Sequence, residues 1–266
     1  LAEQVHRVEA TCTTPMMSVS LLYHDIVPAG MFRSSGFSSP EADIYKLDEL
    51  EFRRHLEAID RRGVRASDRL FTFDDGGSSA LEPTTTLLEE FGWTGYFFIT
   101  TDFIGTPGFL TPEEIRTLRY RGHVIGSHSC SHPARMAHCS REQLLHEWDD
   151  SRKLLSKILG EAVDSGSVPG GYYARPVAEA AAECGIRLLF TSEPTTRVRI
   201  VNGTEVVGRY SIQQGVAAET AASIACGDVV PRLKQAAYWN AKKAAKMIGG
   251  RHWLRLRKYI IAQRAR

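Results

Sequence analysis

Two short segments of this chain hold side chains that could hydrolyse a bond together. In Thr72-Phe73-Asp74-Asp75-Gly76 an apolar run ends in adjacent carboxylates and then two glycines. Neighbouring like charges repel, so such a pair makes sense when a cation or a proton gives each carboxylate its own role. A bare pair is equally explained by a helix N-cap beside a solvated Asp. In His128-Ser129-Cys130-Ser131-His132 two imidazoles four residues apart can converge on one metal ion. With nine histidines in the chain, that spacing alone is a weak signal. Cys130, between them on a tight loop, is expected to point away. One carboxylate and two histidines, each at the end of an apolar run, would form a two-His-one-carboxylate site with open positions. The second carboxylate is then the natural general base for a metal-activated water.

The flanking pattern supplies elements to position these groups. Val19–Tyr23, Arg69–Phe73, Gly95–Thr100, His123–Gly126 and Ile186–Thr191 read as buried strands. Helical spacing marks Asp48–Arg62, Ser79–Phe91, Pro112–Arg121, Arg141–Leu159 and Arg175–Cys184. Thr111-Pro112-Glu113-Glu114 reads as a helix start, and Gly160 as a stop. Alternation of strand and helix predicts a parallel α/β sheet or barrel, in which catalytic residues gather at the C-terminal ends of the strands. Asn202-Gly203, between β-rich halves, signals a hairpin. The segment from Val27 to Lys46, rich in Gly, Ser and Pro, would be a long loop bordering the active site.

Composition narrows the class. The chain has 266 residues, 43% hydrophobic and 24% charged, which excludes a disordered or fibrous protein. No apolar run approaches the roughly 18 residues of a membrane-spanning helix. Five scattered cysteines without a CxxC point away from a disulfide scaffold. Leu1–Met17 shows no apolar core of a secretory signal, so a cytoplasmic location is the expectation. The formal charge of +2 hides an asymmetry. Residues 232–266 hold eleven Lys or Arg and no Asp or Glu, leaving 22 basic against 31 acidic side chains in residues 1–231. Leu233, Ala237, Ala241, Ala244 and Ile248 would share one helical face of this tail, and Trp253 and Tyr259 lie among its cations. Such a basic amphipathic helix suits an anionic membrane surface, here the inner face; packing on the acidic body is the alternative. No nucleic-acid motif accompanies it, so nucleic acid is not an expected partner.

TFDDG followed about fifty residues later by HSCSH, within GHVIGSHSCSH, resembles the polysaccharide deacetylase (NodB-homology) family of carbohydrate esterases. The resemblance implies an irregular (β/α)7-8 barrel over residues 1–231, with residues 232–266 as a helical tail. It further implies a metal-dependent hydrolase that removes N-acetyl groups from an amino-sugar glycan or lipid-linked sugar. On that pattern Asp74 is the general base, and Asp75, His128 and His132 hold a divalent metal, usually zinc. Two departures stand out. The family's Arg-x-Pro-aromatic-Gly motif reads Ser167-Val168-Pro169-Gly170-Gly171 here. Gly170 could still offer its N–H to an oxyanion, but the Arg that steadies the base is missing. Arg175 is a nearby substitute, and Tyr172 and Arg175 are candidates for substrate contact. The late Leu-x-His that supplies the general acid is also absent. Leu22-Tyr23-His24-Asp25 instead resembles the YH segment of permuted poly-N-acetylglucosamine deacetylases. His24 is then the general acid, with Asp25 as its partner; a structural strand-end histidine is the alternative. The missing Arg and His also leave open a silent glycan-binding homologue, and relatives that cleave formamides or cyclic amides leave open a different C–N bond.

Overall fold

A computed structural model describes residues 19–64, 69–171 and 173–243. Eleven strands are present among them: β1 (Leu21–Tyr23), β2 (Ile26–Val27), β3 (Leu47–Asp48), β4 (Phe71–Phe73), β5 (Gly95–Ile99), β6 (Val124–Ser127), β7 (Ser165–Ser167), β8 (Leu188–Phe190), β9 (Arg199–Val201), β10 (Thr204–Val207) and β11 (Tyr210–Ser211). Helices accompany them: α1 (Pro40–Asp43), α2 (Glu49–Arg61), α3 (Thr86–Glu90), α4 (Pro112–Tyr120), α5 (Arg141–Leu159), α6 (Arg175–Glu183) and α7 (Ala218–Ala225), followed by a helix over residues 229–243. The main sheet has the order β11-β1-β4-β5-β6-β7-β8-β10-β9, parallel throughout except for β9 against β10. Residues 204–211 run from β10, paired to β8, through Gly208 and Arg209 into β11, paired to β1. One segment therefore touches both ends of the parallel array, and the sheet curls into the expected irregular barrel.

Strand alternation sorts the core into an outer and an inner layer. Tyr23, Phe71, Phe73 and Phe97 pack outward with Phe52 and Leu56 of α2, the Phe73 and Phe97 rings stacking at 4.8 Å. Phe98, Leu188, Phe190 and Val207 form a separate cluster of their own. Arg209, two residues beyond Val207, joins them, its guanidinium 5.6 Å from the Phe98 ring and 5.7 Å from Phe190.

Helix signals translate directly. Thr111 and Glu114 form a reciprocal capping box with Pro112 at the first turn, Ser140 and Gln143 do the same for α5, and Gly160 closes α5 at φ 73°. The Asn202-Gly203 turn joins β9 to β10 with both residues at positive φ. The predicted helix over Ser79–Phe91 is interrupted: Glu82 is extended (φ −131°, ψ 131°) because the residue before a proline is driven out of the helical region.

Strand β7, Ser-Gly-Ser, has no apolar residue to announce it. It is small because its neighbours are close. A Cβ on Gly166 would lie 3.2 Å from Ile186 Cδ1 and 3.3 Å from the Trp148 ring.

The long segment after β1 is anchored rather than loose. Its ends pair as β2 and β3. Lys46, 1% exposed, donates from Nζ to the carbonyls of Phe32 and Ser35, both at 2.6 Å. Lys46→Met would leave two carbonyls without a donor at about 1–3 kcal/mol each. Urea unfolding should read a loss of about 2–6 kcal/mol, and limited proteolysis should cut between residues 28 and 39 where the wild type resists.

Candidate metal and catalytic centre

The two sequence segments meet at the C-terminal mouth of the barrel. Asp75 follows β4, and His128 and His132 follow β6. Asp75 Oδ1 lies 3.4 Å from His128 Nε2 and 3.5 Å from His132 Nε2, and one ligand atom from each of the three residues falls within 4.8 Å of the others. Bonds of about 2.0–2.1 Å to a tetrahedral ion put neighbouring ligand atoms about 3.3 Å apart, so the residues fit a zinc-sized cation. His128 Nδ1 lies 3.0 Å from the Ser167 carbonyl. Donation from Nδ1 leaves the Nε2 lone pair facing Asp75, the usual outer support of a metal-binding imidazole.

Backbone strain is concentrated here. Of the four non-glycine residues with positive φ among the described residues, Asp75 (78°), Ser129 (67°) and His132 (56°) belong to these loops. A conformation that side chains avoid persists where surrounding contacts enforce it. Glu147 of α5, 7% exposed, supplies the enforcement. Its Oε2 accepts from the Cys130 and Ser131 amides at 2.8 and 2.9 Å, and its Oε1 accepts from Ser131 Oγ at 2.5 Å. Cys130 is turned away, its Sγ set against the His146 and Glu147 carbonyls, and burial pushes its thiol up to about 11. That sulfur is no ligand.

Asp74 borders the three ligands, its Oδ2 3.9 Å from His128 Nε2. A fork of bonds holds it. Arg209 donates through Nη1 to Oδ1 and through Nη2 to Oδ2, both at 2.7 Å, and Ser167 Oγ donates to Oδ2 at 3.0 Å. Arg209 is fully buried and also donates to Ser167 Oγ, Thr72 Oγ1 and the Thr191 carbonyl. Burial alone would raise the Asp74 carboxyl, but the Arg209 guanidinium, with His128 beside it, holds it below the usual carboxylate range. Burial likewise opposes ionisation of Asp75 and is overcome by His128, with His24 and His132. For His128, burial disfavours the charged ring, and the nearby Asp74 and Asp75 outweigh it and raise its pKa.

Two expectations are corrected. Arg175 does not reach Asp74; it is exposed on α6 and pairs with Glu179 at 2.8 Å. The guanidinium on Asp74 comes from Arg209, which the sequence reading missed. Only the alternation Val207-Gly208-Arg209 hinted that an arginine would face inward. Nor is Asp25 the partner of His24. The Asp25 carboxylate is taken up by the long segment and the turn after β4, its Oδ1 accepting from Ser35 Oγ at 2.5 Å and Ser79 Oγ at 2.8 Å. Burial raises the Asp25 carboxyl against the lowering pull of Ser35.

His24 is half-buried and stacks on Tyr45 at 4.8 Å. It lies near enough to interact electrostatically with Asp74, Asp75 and His132, and its Nδ1 is buried without a hydrogen-bond partner among the described residues. Gly170 adopts φ 66° beside the Ala134 carbonyl and is exposed. Tyr172 lies outside the described residues. From the long loop, Phe37 packs 5.0 Å from the His132 ring and edge-on to Phe103 and Phe109, forming an apolar wall.

Residues 63–189 match the polysaccharide deacetylase family. The Bacillus subtilis protein YxkH, whose name assigns it to the polysaccharide deacetylases, is 28% identical over 125 residues. That alignment spans 47% of this chain and 44% of YxkH, less than half of the relative's length. Among solved structures, the Streptococcus pyogenes deacetylase PplD in complex with acetate superposes with a TM-score of 0.61 at 19% identity, covering 76% of this chain and 95% of that one. IcaB from Ammonifex degensii gives 0.62 at 20% identity, covering 78% and 96%. The fold is that of these deacetylases, and residues 63–189 carry the sequence pattern of the polysaccharide deacetylase family.

If Glu147 fixes the histidine loop, Glu147→Ala should weaken zinc binding about 10–100-fold, measured by competition with a chromophoric chelator. Glu147→Gln, which keeps one acceptor, should lose less.

Proposed function

We propose that this protein is a metal-dependent hydrolase that removes N-acetyl groups from an amino-sugar glycan or lipid-linked sugar. The observation that carries the reading is the meeting of Asp75, His128 and His132 beside Asp74, a carboxylate held by a buried guanidinium. Asp75, His128 and His132 would hold a divalent ion, zinc by donor type and spacing. Such an ion supplies Lewis acidity toward an amide carbonyl and makes water a usable nucleophile at neutral pH. Asp74, ionised because of Arg209, takes the proton that the attacking water gives up. His24, across the mouth, hands a proton to the departing sugar nitrogen, so that acetate and a free amine leave. The Gly170 N–H would stabilise the developing oxyanion. Phe37, Phe103 and Phe109 exclude water on the His132 side.

Arg209 also weakens the case for a silent homologue, because the guanidinium missing from the Ser167 position arrives from the segment between β10 and β11. Ser167 is small enough to admit it and uses its own hydroxyl to bridge Arg209 and Asp74.

Acetate release from N-acetylglucosamine oligomers, with zinc added back to chelator-treated protein, tests the proposal. Asp74→Asn should lower turnover about 10²–10⁴-fold while zinc still binds. Asp75→Ala should lose both. Zinc binding without acetate release from any acetylated sugar, or release only from formylated or cyclic amides, would reject the assignment.

The pH profile tests Arg209 separately. Turnover requires ionised Asp74, so activity falls as pH drops through the Asp74 pKa. Arg209→Met removes the charge that depresses that pKa, so the acid limb should move to higher pH, and Arg209→Lys should restore part of the shift. An unmoved limb in a folded Arg209→Met protein would separate Arg209 from the base.

A further inference from the structure

The helix over residues 229–243 presents its apolar side away from the body. Val229, Val230 and Leu233 are 59%, 63% and 63% exposed. Ala237 and Ala241, one and two turns beyond Leu233, are exposed as well. At 3.6 residues per turn these five share one face. Toward the body the helix turns polar groups instead: Gln235 Nε2 donates to the Ser211 carbonyl at 2.7 Å, and Arg232 donates to the Gly227 and Asp228 carbonyls. This reverses the usual arrangement, in which the apolar stripe of a surface helix is buried against its own domain.

The cations fit one kind of cover. Lys234 and Lys243 are exposed on this helix, and Lys242 and Lys243 sit 4.8 and 5.0 Å from the rings of Tyr238 and Trp239. The segment belongs to a stretch, residues 232–266, with eleven Lys or Arg and no acidic side chain. An occupant must therefore offer apolar depth beside dense negative charge. A protein face would have to be apolar and acidic at once, and several surface carboxylates of the body, Glu89, Glu90, Glu161, Glu183 and Glu205, are already paired with arginines of their own chain. We propose that this face docks on an anionic lipid surface. The helix lies in the plane of the interface, Val229, Val230 and Leu233 enter the acyl boundary, and the lysines reach the headgroup phosphates. The proposal is independent of the hydrolytic reading.

Flotation of the full chain with vesicles of phosphatidylcholine, with and without phosphatidylglycerol, tests it. Binding is expected only to the anionic vesicles and should fall as salt rises. The double variant Val230→Glu/Leu233→Glu should bind at least about tenfold more weakly, and Lys234→Gln or Lys243→Gln about fivefold more weakly each. All four side chains are exposed, so urea midpoints should match the wild type and separate lost docking from lost folding. Failure to bind anionic vesicles, equal binding to neutral ones, or unchanged binding of the double variant would overturn the proposal. A wild-type dimer that becomes monomeric in the double variant would assign the face to a second copy and overturn it equally.

Discussion

Arg209 and Asp74 form a buried ion pair in which neither charge could sit alone inside the barrel without a penalty of several kcal/mol. Pairing through two parallel bonds removes that penalty and fixes the carboxylate in direction as well as charge. Because Arg209 also bonds Thr72, Ser167 and the Thr191 carbonyl, the pair joins β4, β7, the end of β8 and the segment linking β10 to β11. Asp74 is the last residue of that network before the cluster of Asp75, His128 and His132. Its low pKa and its position thus share one cause.

Ser167 links this network to the ligands. Its hydroxyl bridges Arg209 and Asp74 while its carbonyl faces His128 Nδ1. Asp74 and His128 are therefore set by the same three-residue strand. On the other side, Glu147 grips the amides of the histidine loop. The long segment after β1 is held by Lys46 and by Asp25 with Ser35 and Ser79, so that Phe37 and Tyr45 are set beside His132 and His24. Strained backbone at Asp75 and His132 survives because its surroundings are pinned from several directions.

Much of this was readable from residues alone. Adjacent carboxylates after an apolar run and paired histidines after another pointed to the four side chains that the fold brings together. Capping residues at Thr111 and Gly160 fixed helix ends because capping is local chemistry. Strand β7 was illegible because its Ser-Gly-Ser sequence answers to the crowding of Trp148 and Ile186, which only the fold brings near. Glu147 looked like one more acidic residue of an amphipathic helix, since nothing along the chain announces that it faces two amides of a distant loop. Asp25 misled for the opposite reason: adjacency to His24 suggested partnership, whereas the fold brings Ser35 and Ser79 to its carboxylate.

The chain's order of residues determined which chemical groups were available and in which local elements they stood, because propensity, periodicity and capping act over a few residues. It determined the parallel α/β class through the alternation of short apolar runs with helical stretches. Which arginine serves Asp74 was decided only by tertiary structure. Arg175 and Arg209 are equivalent in type, and sequence places Arg175 nearer to the altered motif. Curling of the sheet carries residues 204–211 across both of its ends and turns Arg209 inward, while α6 leaves Arg175 in water beside Glu179.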